Sequence, residues 1–401
     1  MSADVCVVVP TVRERDCLRS YVENAREHGF DVERLFFVLV TEDFCDTDAM
    51  AATLAEEDVT GRVFDESARQ AWFDAHGIAE YADLVPAASH AQTSFGLLYL
   101  WAHEFDYGVF LDDDTRPHPH FDFFGRHLRN LEYDGEVARV SSDTGWVNVL
   151  YQHADEHGLY PRGFPYGAMG ETSDVDATSV DDVVVSQGLW TGVPDLDAVR
   201  ILQDGDLRGR GRTRLASEDY DGSFVVGRGN YLTVCSMNLA FRREVVPAFY
   251  QLPMDDNPWG IGRFDDIWSG VFLKRACDVL GSQVLSGYPL CVHEKAPRST
   301  FEDLAAEAPA LAINERLWTL VADVGDSVTS YADVYRAMAA ALASGDFDDV
   351  ENGAFLTYLG EHMGLWLSCL EALEDGVDEG DRGGVPSAVV DESAEPVASD
   401  D

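Results

Sequence analysis

The sequence predicts an α/β protein with a mixed, mainly parallel sheet flanked by helices. Two observations carry this prediction. Compact β-branched runs, typical of strands buried on both faces, alternate with helical segments up to about residue 115. The chain has 401 residues and is 46% apolar, which is enough to fill a sizeable core in one large or two ordinary domains.

The alternation can be followed element by element. Val5–Pro10 and 35–41 are apolar runs that predict buried strands. The spacing of apolar residues predicts helices over 14–27, 46–57 and 89–104. Tyr107–Leu111 then predicts a strand that runs directly into three aspartates. This order of strands and helices is typical of βαβ units with parallel strands.

The rest of the chain is less regular. Glycine, proline, aspartate and aromatic residues dominate 142–214, where we expect long loops around a site. Regular structure returns at 231–241, and 301–374 has the apolar spacing of helices. From residue 375 the composition changes to small, polar and acidic residues, which predicts a disordered acidic tail.

Acidic residues far outnumber basic ones. Asp and Glu total 73 and Lys and Arg total 28, so the formal net charge is −45. This balance argues against a nucleic acid partner and against an anionic membrane surface, because both require clustered Lys and Arg. Only two lysines occur, Lys274 and Lys295. We interpret the uniform excess of carboxylates as a halophilic adaptation, because concentrated salt screens their mutual repulsion.

Cysteine usage and hydropathy indicate a reducing, aqueous compartment. The seven cysteines are scattered without a CxxC spacing, which argues against a disulfide framework or a structural zinc site. Val5–Pro10 is too short for a secretory signal, and no apolar run reaches the ~20 residues that a membrane helix needs. We therefore expect a cytoplasmic protein without a membrane span.

The strongest chemical signal is the triplet Asp112, Asp113 and Asp114. It directly follows an apolar strand, and open α/β sheets bind ligands at the carboxyl ends of their strands. Hard oxygen ligands suit Mg²⁺ or Mn²⁺, which can bridge to a diphosphate. Many nucleotide-sugar glycosyltransferases hold their metal with Asp-x-Asp at a strand end. A solvated turn is the alternative in so acidic a chain, and the preceding strand favours the metal site.

Further short motifs occur in a consistent order. They are 8–13 (VVPTVR), 111–114 (LDDD), 160–165 (YPRGFP), 186–195, 237–241 (MNLAF), 260–270 (GIGRFDDIWSG) and 293–296 (HEKA). The order and approximate spacing of these motifs resemble those of the reversibly glycosylated polypeptide family, which includes the plant UDP-arabinopyranose mutases. The resemblance extends over roughly residues 4–320. Each motif is short, but the set is specific.

The resemblance implies a glycosyltransferase-A-like fold that uses a UDP-sugar and a divalent metal, Mn²⁺ or Mg²⁺. Family members cleave the UDP-sugar, some interconvert its pyranose and furanose forms, and some are reversibly glycosylated on an arginine. Carried across by motif, that arginine is Arg162. Clamping of phosphate or sugar and a structural role are the alternatives, because a guanidinium stays protonated and is a poor nucleophile. Met169 stands where the plant sequences have a second arginine, which leaves the sugar unidentified.

The resemblance also implies roles for residues in the late motifs. Asp112, Asp114 and His293 are the predicted metal ligands, with a structural role as the alternative for His293. Asp265 and Asp266 are predicted to face the sugar or an acceptor, one of them as general base or hydrogen-bond acceptor. Their alternative is an N-cap pair at the start of a helix.

The remaining predicted residues contact the nucleotide-sugar. Arg13 is expected at phosphate and Asp43 at uracil or ribose, with solvated loop charges as the alternative. Lys295 is expected at phosphate or in a plain salt bridge, and Trp190 at a sugar face or in the core. The full predicted set is Thr11, Arg13, Asp43, Asp113, Trp190, Asn238 and Lys295.

The sequence thus predicts a metal-dependent UDP-sugar enzyme, either a mutase or a self-glycosylating transferase acting through Arg162. Transfer to a separate acceptor and a non-catalytic sugar-carrying or scaffold protein are the alternatives. We expect a nucleotide-sugar domain over 1–299, a helical extension over 300–374 and a disordered tail over 375–401. The resemblance further implies assembly into homo-oligomers or hetero-oligomers with close relatives.

Overall fold

The computed structural model describes residues 3–12, 17–152, 158–215, 222–254, 256–325 and 327–376. A large mixed sheet is flanked by helices, which confirms the predicted α/β class. The strands are β1 (Val5–Pro10), β2 (Leu35–Val40), β3 (Thr60–Phe64), β4 (Tyr107–Leu111), β5 (Thr115–Pro117), β6 (Gly135–Ser142), β7 (Trp146–Val147), β8 (Ser173–Val180), β9 (Val183–Gly192), β10 (Ser223–Val226), β11 (Tyr231–Leu232), β12 (Asn238–Arg242) and β13 (Gln283–His293).

The helices flank the sheet and continue to the end of the described chain. They are α1 (Cys17–Glu27), α2 (Thr47–Glu56), α3 (Glu66–Ala75), α4 (Ser94–Ala102), α5 (Phe123–Leu131), α6 (Ala198–Asp204), α7 (Asp265–Leu280), α8 (Thr300–Glu307), α9 (Leu311–Asn314), α10 (Leu317–Leu320), α11 (Tyr331–Ser344) and α12 (Ala354–Gly376). The predicted helix over 89–104 begins with a 3₁₀ turn at His90–Thr93 before α4.

The sheet is parallel at one end and mixed toward the other. Its strands follow the order β3-β2-β1-β4-β12-β9-β13-β10-β6-β8, and β5 pairs with β13. β1 lies between β2 and β4 with parallel pairing on both sides, while β12 runs antiparallel to β4. The carboxyl ends of β1, β2 and β4 therefore meet at one edge, which is where parallel sheets bind ligands.

The region 142–214 forms the expected loops only in part, for example around Arg162 and Asp195. It contains β8 and β9, and β9 lies within the sheet between β12 and β13. Ser186 and Gln187 give β9 a loop-like sequence, yet both are fully buried and hydrogen-bonded. The Ser186 hydroxyl lies 2.9 Å from His127 Nδ1, and Gln187 Nε2 donates to the Thr233 carbonyl at 2.8 Å. These distant partners make a buried polar strand possible.

The helices after residue 300 pack onto the part of the chain that carries the sheet. The Trp366 ring stacks on Tyr250 with centroids 4.8 Å apart, and one hydrophobic cluster contains residues from Val5 to Leu373. The expected boundary at residue 300 therefore does not separate two cores. The expected disordered tail beyond Gly376 lies outside the described residues.

All seven cysteines are free thiols, and most are buried among apolar side chains. Over the ranges that the structure describes, no helix combines the length and the apolar character that crossing a bilayer requires.

Candidate active site

The carboxyl ends of β1, β2 and β4 open into a cavity of about 560 Å³, a size typical of small-molecule sites. Its wall is densely charged and combines residues from motifs that lie far apart in the sequence. The charged and histidine side chains of the wall are Glu42, His90, Asp112, Asp113, Asp114, Arg162, Asp195, Arg263, Asp265, Asp266, His293, Lys295 and Arg298.

The aspartate triplet after β4 is tied to three separate parts of the chain. Asp113 Oδ2 accepts a hydrogen bond from the Thr11 hydroxyl at 3.0 Å. Asp114 Oδ2 accepts from the Ala296 N–H at 2.7 Å. Asp112 Oδ1 lies 3.3 Å from His90 Nε2. The triplet is therefore an anchored part of the cavity wall rather than a solvated turn.

His293 lies beside Asp114 with one ring nitrogen directed at the carboxylate. The Nε2 atom is 3.7 Å from Asp114 Oδ1. The other nitrogen, Nδ1, donates to the Val193 carbonyl at 2.8 Å, because a carbonyl can only accept. This contact places a proton on Nδ1 and directs Nε2 at Asp114, and metal-binding histidines commonly donate their other ring N–H in the same way.

The donor set fits a divalent ion that is shared with a ligand. Carboxylate oxygens and an imidazole nitrogen are donors that Mn²⁺ accepts, and Mg²⁺ commonly uses one or two carboxylates plus substrate phosphates. Among the residues that the structure describes, no group of three His, Cys, Asp or Glu side chains lies close enough together to hold a metal ion by itself. Of the three predicted ligands, Asp114 and His293 face each other at 3.7 Å, and Asp112 lines the same cavity.

His90 bridges two carboxylates from distant motifs. Its Nδ1 lies 2.7 Å from Asp265 Oδ2, and its Nε2 faces Asp112 Oδ1 at 3.3 Å and the Ser236 hydroxyl at 3.4 Å. Burial alone would lower the pKa of His90, but the two carboxylates outweigh it and raise that pKa well above its usual value. Burial likewise opposes ionisation of Asp265, yet His90 keeps the pKa of this carboxyl below its usual value.

Asp265 and Asp266 occupy the first turn of α7, where the helix dipole favours negative charge. The N-cap position belongs to Phe264, so the two aspartates are not the N-cap pair considered as an alternative. Asp266 Oδ1 lies 3.4 Å from Arg162 Nη1. Burial raises the pKa of Asp266 despite this arginine, and the neighbouring Asp265 charge adds to the effect.

Arg162 is held by acceptors on all three of its nitrogens. The Nε donates to Asp195 Oδ2 at 2.9 Å, Nη1 donates to the Arg263 carbonyl, and Nη2 lies 3.5 Å from Asp266 Oδ2. Only 11% of the side chain is exposed. Burial opposes its charge, but Asp195 and Asp266 outweigh it and raise the pKa of Arg162 well above its ordinary value. The guanidinium is therefore a fixed cation at the cavity wall.

Asp195 connects Arg162 to Lys295. Lys295 Nζ donates to Asp195 Oδ1 at 3.0 Å, so this lysine forms a buried salt bridge and lines the cavity at the same time. Burial opposes ionisation of Asp195, but Arg162 and Lys295 outweigh it and lower the pKa of Asp195 well below its usual value. Asp195 lies in a motif that the sequence singled out, although no role followed for it from the motif alone.

Of the two predicted nucleotide contacts near the first strands, Asp43 does not line the cavity. The Asp43 carboxylate is exposed and accepts from the Ser67 N–H at 3.1 Å. Its neighbour Glu42 lines the cavity instead and accepts from the Ala88 N–H at 2.8 Å. Successive side chains leaving an extended strand point in opposite directions, so a one-residue offset separates the two. Arg13 lies outside the described residues.

Two other predicted contacts are part of the core. Trp190 is 1% exposed in β9 and does not line the cavity. The Asn238 side chain accepts from His127 Nε2 at 2.9 Å and donates to the Leu189 carbonyl at 2.7 Å. Asn238 is buried and does not line the cavity, so its amide is not placed to contact a sugar there.

His90 is the main functional candidate that the sequence did not reveal. It lies in the 3₁₀ turn before α4 and belongs to none of the motifs. No local sequence pattern therefore marks it as a site residue. Glu42 and Arg263 were missed for a related reason, since only the folded chain shows which neighbour of a motif residue faces the cavity.

Residues 89–372 match the protein family described as reversibly glycosylated polypeptide. UDP-arabinopyranose mutase 1 of Arabidopsis thaliana is 36% identical over 173 residues, which cover 43% of this chain and 44% of that protein. The probable UDP-arabinopyranose mutase 2 of Solanum tuberosum is 30% identical over 256 residues, which cover 62% and 63% of the two chains. The chain thus spans about half to two thirds of the length of these relatives.

Solved structures give a more distant likeness. S. aureus TarS 1-349 in complex with UDP-GlcNAc aligns with a TM-score of 0.38 and 11% identity, over 95% of this chain and 82% of TarS. The glucosyl-3-phosphoglycerate synthase of Mycobacterium tuberculosis, with Mn²⁺, UDP and phosphoglyceric acid, aligns with a TM-score of 0.37 and 12% identity, over 81% and 80% of the two chains. Likeness at this level says nothing about what the cavity binds.

Proposed function

This chain belongs to the reversibly glycosylated polypeptide family, and from that premise we propose that it is a metal-dependent enzyme acting on a UDP-sugar. One observation carries the proposal. The aspartate triplet, His293 and Asp265 converge in a single cavity at the carboxyl ends of parallel strands. The sequence relatives named UDP-arabinopyranose mutases support a pyranose–furanose mutase as the specific activity.

Asp112, Asp114 and His293 would hold the divalent ion, which when bound supplies positive charge to the leaving diphosphate. Thr11 and the Ala296 N–H orient Asp113 and Asp114 through hydrogen bonds of 3.0 and 2.7 Å. Asp113 and Asp114 therefore have defined directions before a ligand arrives. Pre-orientation of this kind reduces the reorganisation that catalysis would otherwise require.

The carboxylates on α7 serve the sugar side of the reaction. Cleavage of the bond from the anomeric carbon to the diphosphate oxygen leaves positive charge on the sugar. Asp265, kept ionised by His90, can stabilise that charge or accept a proton from a sugar hydroxyl. A mutase must then let the ring open, reclose with another hydroxyl and recapture the diphosphate while water is excluded.

We assign Arg162 the role of a fixed cation that orients Asp195 and Asp266 beside the substrate. Attack on the sugar by this side chain would require loss of its proton and release of at least one carboxylate. Self-glycosylation on Arg162 is the second candidate activity, and the position of its side chain on the cavity wall favours that possibility.

The test uses the purified protein in concentrated KCl with Mn²⁺ and a panel of UDP-sugars. The nucleotide-sugars are separated by chromatography, and the intact mass of the protein is measured from the same tubes. We expect pyranose and furanose forms of one UDP-sugar to interconvert without a persistent protein adduct. The Arg162→Lys variant keeps the charge but loses the bidentate geometry and should slow the interconversion.

Three other results have distinct meanings. A single-sugar adduct that disappears in Arg162→Lys would support the self-glycosylating activity. Release of UDP that depends on an added acceptor would instead identify a transferase with a separate acceptor. No isomer, no adduct and no UDP release with any sugar would overturn the proposed function while leaving the fold intact.

A further inference from the structure

A hairpin at the rim of the cavity concentrates arginines in a chain of formal net charge −45. Residues 207–214 (LRGRGRTR) contain no acidic side chain. Gly205 pairs antiparallel with Gly211, and the Asp206 N–H donates to the Arg210 carbonyl at 3.0 Å, so the segment folds back on itself. We call this segment the arginine hairpin. Its four arginines are Arg208, Arg210, Arg212 and Arg214.

The arginine hairpin is fixed against the cavity wall. The Arg298 N–H donates to the Arg208 carbonyl at 2.9 Å, and Arg210 Nε donates to the Lys295 carbonyl at 3.1 Å. Arg298 and Lys295 both line the cavity. Arg214 Nη1 donates to backbone carbonyls of its own loop. Arg210 and Arg214 therefore brace the hairpin, which holds its outer surface in place beside the site.

The other two arginines face solvent. Arg208 and Arg212 are exposed, and within the described part of the chain neither guanidinium contacts a carboxylate or a carbonyl. Two large apolar side chains are exposed nearby, Leu207 at 62% and Phe301 at 60%. The Thr300 N–H donates to the Leu207 carbonyl at 3.4 Å, so the backbone segments that carry them are in contact. Within the described residues, the surface combines two exposed guanidinium groups with apolar area, and Asp206 directly before the hairpin accepts from the Arg208 N–H at 2.9 Å.

We propose that the arginine hairpin binds an anionic carbohydrate, a sugar chain that carries carboxylate groups, next to the cavity. A guanidinium matches a carboxylate with two parallel hydrogen bonds, which makes Arg208 and Arg212 suited to such groups. Leu207 and Phe301 offer apolar surface to the C–H faces of sugar rings. This surface lies beyond the reaction in the cavity and does not depend on which reaction occurs there.

Charge distribution favours a short anionic carbohydrate over a nucleic acid. The hairpin is only eight residues long, and the chain around it carries a large excess of carboxylates. A nucleic acid has continuous phosphate charge and would extend past the hairpin onto repelling surface. A carbohydrate chain bears its charge on single rings and can place one or two carboxylates at the arginines.

Binding is tested by fluorescence anisotropy with a labelled oligogalacturonate, against a neutral oligosaccharide of the same length. Arg208→Gln/Arg212→Gln removes two charges that do not line the cavity. Arg139→Gln/Arg336→Gln is the matched control, because it removes two half-exposed arginines elsewhere on the surface. We expect the hairpin variant to lose about tenfold in affinity and the control to lose less than about twofold. Affinity should fall as KCl is raised.

Several outcomes would overturn the proposal. They are the absence of binding by the unmodified protein, equal affinity of the two double variants, and equal affinity for the neutral oligosaccharide. A single-stranded oligonucleotide of equal charge that binds more tightly through the same arginines would identify a nucleic-acid surface and would also overturn it. UDP release is measured in the same variants and should not change. Failure of the carbohydrate-binding proposal therefore leaves the proposed function untouched.

Discussion

The Nδ1 atom of His90 lies 2.7 Å from Asp265 Oδ2, although 175 positions separate the two residues in the chain. The contact joins the loop before α4 to the first turn of α7. The opposite nitrogen of the same ring faces Asp112 at 3.3 Å. His90 thus connects the carboxylate proposed to face the sugar with one of the carboxylates proposed to hold the metal.

Replacement of His90 should impair catalysis more than folding. In His90→Phe, Asp265 loses the partner that keeps it ionised, and Asp112 loses an orienting contact. We expect the rate of UDP release to fall by about 100-fold, the order typical of a lost acid–base or orienting group. The measurement is steady-state UDP release at saturating Mn²⁺. His103→Phe, near the end of α4 and away from the cavity, is the control, and an equal loss in both variants would contradict the assignment.

Removal of one carboxylate from the triplet should remove the metal requirement together with the activity. Asp112→Asn leaves the shape of the side chain but eliminates its charge, so a cation is held less tightly. We expect metal-dependent UDP release to be abolished and calorimetric binding of Mn²⁺ in the presence of UDP to weaken. Asp134→Asn, exposed before β6, is the control. Unchanged UDP release in Asp112→Asn would show that the metal assignment is wrong.

His127 should make stability depend on pH in a defined window. Burial lowers the pKa of His127 to about 4, while that of an unfolded histidine is about 6.5. The folded protein therefore binds this proton less readily than the unfolded chain. The contribution of neutral His127 to the free energy of unfolding is complete above about pH 6.5 and is lost as pH falls toward 4. This difference in pKa between the folded and unfolded states corresponds to about 3 kcal/mol in the free energy of unfolding.

Chemical denaturation between about pH 4 and 7.5 in concentrated KCl measures this effect. His127→Gln should be less stable at neutral pH, because its hydrogen bonds to Ser186 and Asn238 change, and should lose less stability on acidification. His28→Gln, at an exposed position, is the control. A pH dependence of His127→Gln as steep as that of the unmodified protein would contradict the prediction.

Two glycines of α12 should respond in opposite ways to alanine. A Cβ on Gly360 would lie 2.6 Å from the Ala339 carbonyl oxygen of α11, whereas a Cβ on Gly364 would meet nothing within 4 Å. Gly360→Ala should therefore lower the free energy of unfolding by about 2 kcal/mol through overpacking. Gly364→Ala should raise it by about 0.5–1 kcal/mol through helix propensity. Equal changes in the free energy of unfolding of the two variants would contradict this prediction and would show that α11 and α12 can move apart without loss of stability.

Local patterns were sufficient for much of the fold. β1 and β4 follow from apolar β-branched runs, and the helices after residue 300 follow from apolar spacing. β9 did not follow, because its polar residues Ser186 and Gln187 interrupt the apolar run, and their hydrogen-bond partners lie far away in the chain. A strand whose stability comes from such partners has no local signature.

The residues of the candidate site also divide into those that local motifs predicted and those that only the folded chain reveals. Motifs indicated the aspartate triplet, Arg162 and the pair on α7, all of which the cavity brings together. They also indicated Asp43, whereas the adjacent Glu42 faces the cavity. His90 lies outside every motif and became visible only through its two carboxylate contacts.

By itself, the sequence determined the α/β class, the family and most charged side chains of the cavity wall, because strand and helix periodicity and short motifs are properties of neighbouring residues. Only the tertiary structure decided the directions and partners of those side chains. It fixed Arg162 between Asp195 and Asp266, set His90 between Asp265 and Asp112, and placed the arginine hairpin at the rim. These contacts join residues from distant parts of the chain, and their geometry depends on strand order, register and burial, which no local pattern specifies.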